Sequence, residues 1–350
     1  MKPILFGDIP VGEGCEPLLL PDIDMFFNRD LDAAAKIVND LVKAGTRVIK
    51  GAVIHSADIA LDNGTTESYY SPEVGIVTEN YRELMERKVM SFEEHESLFE
   101  LCKKLGPELV LSVYDRKGAE FAKDIGACAL KIPSTNITHE PLIGCLGGLD
   151  LPVIIDTGKS TLEEIARAVQ WARDGGVRDL ILEHSPEAPP SPLENHNLKM
   201  IQTLRRAFEC PVGLSDHHAG NEMMYAAVAL GASVLEKGVC ANDQGVDQDV
   251  YHSMRVGEVE EVLTTCSNIH RALGSGMRYL PRDRAKPSAR MGLVAAENLK
   301  VGDNISESNV DFAFPAVGVP TENWTQIKGW RLVVEKNAGD PIEWKDIESV

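Results

Sequence analysis

Side chains that could do chemistry stand at the ends of apolar segments throughout this sequence. The segment PVGLSDHHAG runs from apolar residues into Asp216, His217 and His218. Unpaired charges lose hydration energy when they are buried, so such a set predicts either mutual neutralisation or a bound ligand. The polar residues that end the other apolar segments are Asp22, Lys50, Asp115, Lys131 with Ser134, Asp156 with Lys159, Glu183 with His184, and Glu236 with Lys237.

Two chemistries are compatible with these residue types. Lys50 and Lys131, together with the Ser134 hydroxyl, can hold an anion. His184 and His217 can bind a divalent ion through imidazole nitrogens, with the remaining positions open to water or substrate. A histidine whose hydrogen bonds are satisfied within the protein is the more frequent case. The metal interpretation therefore depends on the shared position of the two histidines at the ends of neighbouring strands.

The elements that must position these residues recur in a regular order. Short apolar, β-branched segments alternate with segments of helical period, which predicts right-handed βαβ units around a parallel sheet. Eight such units favour a closed (β/α)8 TIM barrel, an α/β fold whose ligand site lies at the carboxyl ends of the strands. No GxGxxG follows the first strand, so a dinucleotide-binding fold is not favoured. The strand segments are 18–24, 47–51, 108–115, 128–134, 152–160, 179–185, 210–218 and 232–239.

The helical segments carry their own signals. The segment 30–45 places apolar residues on one stripe, as expected for a helix packed on a sheet. Ser91 with Glu94, and Ser160 with Glu163, form capping-box patterns that predict helix starts.

The pattern changes near Arg278. A basic, proline-containing stretch at 279–287 predicts a linker, and 288–350 contains short apolar runs with Gly-Asp turns. We therefore expect a barrel domain at 1–278 and a small β-rich domain at 288–350.

Composition narrows the function classes. The 350 residues carry a formal net charge of −19, with a pI near 4.9. This charge argues against nucleic acid or an anionic membrane as partner. Seven scattered cysteines without a CxxC pair predict reduced thiols. No apolar run has the length of a membrane span, and no signal-type segment begins the sequence, so a cytoplasmic protein is expected.

Several motifs resemble one enzyme family. ALKIPS, DTGKST, GLSDHH and ASVLEKG, in this order, resemble the sialic acid synthase family, which includes N-acetylneuraminate, legionaminate and pseudaminate synthases. VAAENLKVGDNISESNV through KNAGDPI resembles its C-terminal antifreeze-like (SAF) domain. The resemblance implies condensation of phosphoenolpyruvate with an open-chain N-acylated amino sugar and release of phosphate. It also implies a divalent cation, Mn²⁺ or Mg²⁺, and a homodimer in which each SAF domain caps the partner's barrel.

The resemblance also implies roles for individual residues. The lysines would hold phosphoenolpyruvate, and a carboxylate would handle water and protons. Its catalytic candidates are Asp22, Lys50 and Lys131, and its metal ligands are His184 and His217. Its substrate-binding candidates are Ser112, Asp115, Ser134, Asn136, Asp156, Thr157, Lys159, Glu187, Asp216, Glu236, Lys237 and Phe314.

The sequence departs from the family pattern mostly on the acceptor-sugar side. Phe26–Arg29 replaces Asn-His-Asn-Gly, Gly238 replaces a histidine, and Phe314 replaces an arginine, which favours a less polar group on the acceptor. On the phosphate side, Asp156 replaces a serine. A like-charge contact costs about 4 kcal/mol at 4 Å near a protein surface, so Lys159 or the metal would have to offset this carboxylate.

These departures leave three functions open. The first is a synthase that acts on an atypical acceptor, such as a differently substituted amino sugar or a plain aldose. The second is a metal-dependent aldolase or lyase that uses pyruvate. The third is a non-catalytic sugar-binding homologue.

Overall fold

The structure is a computed structural model that describes residues 2–23, 25–186, 191–278 and 289–350. The chain forms two compact units, Met1–Gly274 and Ser275–Val350. The predicted linker at 279–287 lies outside the described residues, so the expected domain boundaries stay predictions.

Short strands form the centre of the first unit. In chain order they are β1 (Ile4–Phe6), β2 (Ile9–Val11), β3 (Leu18–Asp22), β4 (Val48–Val53), β5 (Thr66–Ser71), β6 (Gly75–Asn80), β7 (Glu108–Val113), β8 (Ala129–Ile132), β9 (Val153–Asp156), β10 (Leu180–His184), β11 (Val212–Asp216), β12 (Val234–Cys240) and β13 (Met254–Arg255).

Eight of these strands close into a parallel barrel. The order is β3-β4-β7-β8-β9-β10-β11-β12, and β12 pairs with β3 again. The predicted TIM barrel is thus confirmed, with each strand inside or beside its predicted segment. The antiparallel hairpin β5–β6 and the short parallel strand β13 are additions that the sequence did not predict.

Helices alternate with the barrel strands. Their apolar stripes pack against the strands in one large core, as amphipathic helices on a sheet must. None of the described helices has the length and hydropathy that a membrane crossing requires. The helices are α1 (Leu31–Lys43), α2 (Tyr81–Lys88), α3 (Phe92–Leu105), α4 (Arg116–Asp124), α5 (Glu140–Ile143), α6 (Leu162–Asp174), α7 (Met200–Phe208), α8 (Glu222–Ala229) and α9 (Val259–Leu273).

One predicted capping box is confirmed and one is displaced. Ser91 and Glu94 cap α3 reciprocally, as predicted. At α6 the capping pair is Thr161 and Glu164, one residue later than predicted. Both candidate pairs have the required residue types and spacing, so the backbone path after β9 decides which pair caps the helix.

The amino-terminal hairpin β1–β2 packs onto the barrel interior. Its apolar side chains, including the fully buried Phe6, form one cluster with inward residues near the starts of the barrel strands. The hairpin therefore closes the amino-terminal end of the barrel and leaves the carboxyl end as the mouth.

The second unit is small and β-rich, as predicted. Its elements are β14 (Gly292–Ala295), β15 (Val310–Ala313), α10 (Trp324–Ile327), β16 (Arg331–Leu332) and β17 (Ile347–Glu348). The strands pair as two antiparallel hairpins around a separate apolar core.

Replacing Phe6 tests the role of the hairpin. Phe6→Ala should lower the free energy of unfolding of the barrel by about 3–5 kcal/mol, because it removes a large buried side chain and leaves a cavity. Leu5→Ala is the matched control: Leu5 lies on the same strand, is 57% exposed, and should change stability by less than about 0.5 kcal/mol. Urea unfolding would measure both. Equal midpoints for the two variants would contradict the assignment.

Candidate active site at the barrel mouth

A cavity of about 270 Å³ opens at the carboxyl ends of the barrel strands. Its wall contains both signs of charge, three serine hydroxyls and one imidazole. The predicted site residues that line it are Asp22, Lys50, Ser112, Lys131, Ser134, Asp156, His217 and Glu236. Seven different strands, or the loops just after them, contribute these side chains.

Lys131 is the most enclosed cation of the mouth. Its Nζ lies 2.9 Å from Glu183 Oε2 and 3.1 Å from Asp156 Oδ2, and it also contacts Glu236. Only 3% of the residue is exposed. Burial would lower the pKa of Lys131, but the three carboxylates outweigh it and hold the pKa well above its usual value. The Lys131 ammonium is therefore charged.

Lys50 forms a second ion pair beside the first. Its Nζ contacts Asp22, the residue opposite it on β3, and lies 3.7 Å from Glu236 Oε1. Ser215 Oγ donates to the same Glu236 oxygen at 3.1 Å. Burial opposes ionisation of Glu236, but the two lysines prevail and lower its pKa. One carboxylate thus holds two ammonium groups at the mouth.

Glu183 differs from its neighbours. Burial, together with the charges of Glu236 and Asp156, raises the pKa of Glu183 to about 8. Lys131 approaches Oε2, yet neither Glu183 oxygen has an aligned hydrogen-bond donor among the described residues. Glu183 therefore binds a proton more readily than Glu236 does.

The structure corrects the expected partner of Asp156. Lys131 offsets this carboxylate, whereas Lys159 is exposed and does not line the mouth. Asp156 lies opposite Glu183 in the β9–β10 register, and β8 supplies the lysine. The lysine on the neighbouring strand therefore neutralises the two adjacent acids from within the barrel.

Asp216 also has a different partner from the one expected. Lys237 Nζ lies 2.7 Å from Asp216 Oδ2 and donates to the carbonyls of His218 and Gly220 at 2.6 and 2.8 Å. The pair is almost fully buried. Side chains alternate along a strand, so Ser215 and the residue opposite it face the mouth while Asp216 faces away. A lysine, not a metal, is its partner.

Three other predicted substrate contacts are engaged outside the mouth. Asp115 Oδ1 accepts from Gly118 N at 2.7 Å and begins α4. Asn136 Nδ2 donates to a backbone carbonyl at 3.1 Å. Thr157 Oγ1 donates to the Glu183 carbonyl at 2.9 Å.

Two further predicted residues cannot be placed at the mouth. Phe314 belongs to the second unit and is 62% exposed there. Glu187 lies outside the described residues.

A third lysine at the mouth was not predicted from the sequence. Lys88, at the end of α2, lines the mouth and lies 3.3 Å from Asp247 Oδ1. Asn28 Nδ2 donates to the other Asp247 oxygen at 2.9 Å. Lys88 lies in the segment between β4 and β7, which contains β5, β6, α2 and α3. It does not follow an apolar strand, so the strand-end pattern does not predict it.

His252 was missed as well. Its buried ring packs 5.0 Å from the ring of His217, which lines the mouth. Burial lowers the pKa of His252, and the nearby His217 and Lys237 lower it further. His252 is therefore an uncharged ring that packs against His217.

His184 has the chemistry of a metal ligand. Its Nε2 lies 2.6 Å from the carbonyl oxygen of His196, so Nε2 carries the hydrogen and Nδ1 keeps a lone pair. Burial lowers the pKa of His184, which keeps the ring neutral. A backbone carbonyl that fixes the tautomer is the usual arrangement behind a ligating histidine. His184 is buried but does not itself line the mouth.

A carboxylate cluster is the other place where a cation could bind. Oxygens of Asp156, Glu183 and Glu236 lie within 4.8 Å of one another. The Lys131 ammonium is already bound to all three, so a metal there would have to displace it. His184 and His217 remain the predicted donors for a divalent ion.

The fold and the site define a TIM-barrel protein with a charged mouth, followed by a small β-rich domain. Residues 37–278 match the NeuB family and residues 290–348 match the SAF domain. The chain belongs to the NeuB family, that of the sialic acid synthases, and carries a SAF domain at its C-terminal end.

Individual relatives agree with this assignment. The uncharacterized protein MJ1065 of Methanocaldococcus jannaschii is 31% identical over 349 residues, covering 99% of each chain. The N,N'-diacetyllegionaminic acid synthase of Legionella pneumophila is 27% identical over 350 residues, covering 98% of each chain. A solved structure, the N-acetylneuraminic acid synthetase of Leptospira borgpetersenii in complex with citrate, superposes with a TM-score of 0.71 at 25% identity. The match covers 81% of this chain and 93% of that one.

Substitution of Lys237 distinguishes a structural role from substrate binding. Lys237→Met should lower the free energy of unfolding by about 3–5 kcal/mol, because Asp216 is left buried and unpaired. Lys43→Met is the control, since the Lys43 side chain is 75% exposed and its ion pair contributes about 1 kcal/mol or less. Thermal unfolding measures both. If Lys237→Met melts like the control, the structural assignment is wrong.

Proposed function

We propose that this protein condenses phosphoenolpyruvate with an open-chain amino sugar or related aldose. The product would be a nonulosonic, sialic-acid-like acid, with release of inorganic phosphate. The observation that carries the proposal is the mouth itself, where three buried lysines and three serine hydroxyls line one cavity. The named activities of the relatives support the same reaction class.

Lys50 and Lys131 are the groups best suited to the carboxylate and phosphate of phosphoenolpyruvate. Both ammonium groups are buried, and charge-assisted hydrogen bonds are stronger than neutral ones. Ser112 and Ser134 line the same cavity and add neutral donors. An incoming anion would have to take over part of the coordination that carboxylates now give to the lysines.

Charge balance at the mouth supports a cation requirement. Among the described residues, six carboxyl groups line the mouth or contact its lysines, against three lysines. They are Asp22, Asp156, Glu183, Glu236, Asp247 and Asp249, with Lys50, Lys88 and Lys131. A trianionic substrate would meet net negative charge even with Glu183 protonated. A divalent ion would remove most of that repulsion.

We propose His184 and His217 as the ligands of that ion, with Mn²⁺ or Mg²⁺ as its identity. When bound there, the ion would act as a Lewis acid that polarises the sugar aldehyde. The fixed tautomer of His184 and the neutral His252 packed on His217 support the assignment.

The reaction balances as follows. C3 of phosphoenolpyruvate forms a bond to the aldehyde carbon, and the aldehyde oxygen takes up a proton. Water adds to C2 and gives up one proton. The bond from C2 to the phosphate oxygen then breaks while the new C2 hydroxyl loses its proton, which releases phosphate and leaves a 2-keto acid. Asp22 lines the mouth beside Lys50 and is the proposed acceptor of the proton from water.

Assembly and location complete the proposal. We propose a cytoplasmic homodimer in which each SAF domain caps the partner's barrel. In that arrangement the exposed Phe314 ring would offer the acceptor an apolar contact.

An aldolase or lyase that uses pyruvate is the second candidate. Asp156 favours it, because a carboxylate at the mouth suits a substrate without phosphate. Its charge is held by Lys131, however, and this lowers the electrostatic objection to phosphoenolpyruvate.

Phosphate release tests the proposed reaction. With Mn²⁺ and phosphoenolpyruvate, the protein should release phosphate only when an acceptor sugar is added. Lys50→Gln should lower kcat/KM for phosphoenolpyruvate by about 100-fold, since losing a charged contact to a buried anion costs about 2–5 kcal/mol. Lys43→Gln should behave as wild type. No release with any amino sugar or aldose, together with thermal protection by pyruvate alone, would favour the aldolase.

Metal content tests the histidine assignment. Elemental analysis of the dialysed protein should find about one divalent ion per chain. His217→Ala should lose the ion, because the substitution removes one of the two proposed protein ligands. His270→Ala, a half-buried histidine on α9, should retain the ion. A wild-type protein without any divalent metal would favour the non-catalytic alternative.

A further inference from the structure

A second cavity, of about 530 Å³, adjoins the mouth. Ile54, Ile59 and Tyr114 line both cavities, so the two are direct neighbours. The wall of the second cavity also contains His55 and Asp115, and we call it the His55 cavity. Asp115 was expected to contact substrate, and this is the cavity that it lines.

His55 is held in one orientation. Its Nε2 lies 2.7 Å from Asp115 Oδ2, and its ring stacks on Phe92 with centroids 4.5 Å apart. The Gly118 N–H fixes the other Asp115 oxygen at 2.7 Å. The Asp115 carboxylate accepts from Nε2, so Nε2 carries a hydrogen, and in the neutral form of imidazole that tautomer leaves Nδ1 as an acceptor. Nδ1 has no hydrogen-bond partner among the described residues.

Most charged groups around this cavity are paired locally. Asp58 lies 3.1 Å from an Arg82 nitrogen, and Arg116 lies 2.8 Å from Glu120. The exposed Lys117 also lines the cavity, and Ile54 and Ile59 form an apolar part of its wall. The cavity therefore suits a chain that carries hydroxyl or amide N–H donors beside apolar carbon.

The volumes of the two cavities favour their use as one site for two substrates. Sites for a single small-molecule ligand usually measure about 300–1,000 Å³, and the mouth measures about 270 Å³. The proposed reaction needs two substrates at once. The mouth alone is small for both, and the adjoining space is the larger of the two.

We propose that the His55 cavity holds the end of the acceptor sugar remote from its aldehyde. His55 Nδ1 accepts a hydrogen bond from a hydroxyl or amide N–H of that end, and Asp115 positions the ring. The inference rests on the proposed synthase function and specifies its acceptor as long and hydrogen-bond donating.

Acceptors of different length test the proposal. N-acetyl-D-mannosamine would reach the cavity, and D-erythrose, which lacks the outer carbons, would not. His55→Ala should raise KM for N-acetyl-D-mannosamine about tenfold, the effect of one lost hydrogen bond of about 1.4 kcal/mol. The KM values for D-erythrose and phosphoenolpyruvate should not change. His55→Gln, which keeps an acceptor, should recover part of the loss, and His270→Ala should match wild type.

Equal changes for both acceptors, or none for either, would overturn the proposal. If wild type turns over neither sugar, the synthase function fails, and calorimetry then decides the cavity separately. Binding of N-acetyl-D-mannosamine that weakens about tenfold in His55→Ala would support the site. Absent binding, or binding that His55→Ala leaves unchanged, would reject it.

Discussion

The buried ammonium of Lys131 and the three carboxylates around it are the contact on which the mouth depends. An unpaired charge at this depth would cost several kcal/mol, so the lysine and the acids are stable there only together. Each acid comes from a different strand, and the cluster forms only when the barrel closes. Glu236 extends it to Lys50, which places two cations at one opening. The same balance of burial and charge raises the pKa of Glu183 and lowers the pKa of Glu236.

The rest of the barrel makes this cluster possible. The hairpin β1–β2 and the inward apolar residues fill the amino-terminal end, so polar side chains can collect only at the opposite end. On the outer side of the same strands, Lys237 neutralises Asp216 without any ligand. Two layers of ion pairs thus lie back to back at the strand ends. The inner layer lines the cavity at the mouth. The outer layer, Asp216 with Lys237, is paired within the fold.

Period and residue type were enough to predict the eight strands, the barrel and the set of polar strand ends. They were not enough to assign the ion-pair partner of each side chain. Successive side chains along a strand point to opposite faces, and the register of neighbouring strands decides which of them meet. Register places Asp216 opposite Lys237, and Lys159 lies in the turn after β9, outside any strand. Lys88 and His252 come from segments between the regular units, where no repeating pattern exists. The structure alone places Lys88 at the mouth and His252 against His217. The predicted start of α6 differs from the observed start by one residue, because two possible capping pairs are adjacent in the sequence.

A crystal structure of the protein with phosphoenolpyruvate and Mn²⁺ tests the central claim most directly. The account predicts that the carboxylate and phosphate of the ligand lie within about 3 Å of Lys50 Nζ and Lys131 Nζ, with at least one of the three carboxylates displaced from Lys131. Phosphoenolpyruvate bound away from both lysines, with the Lys131 cluster intact, would contradict it.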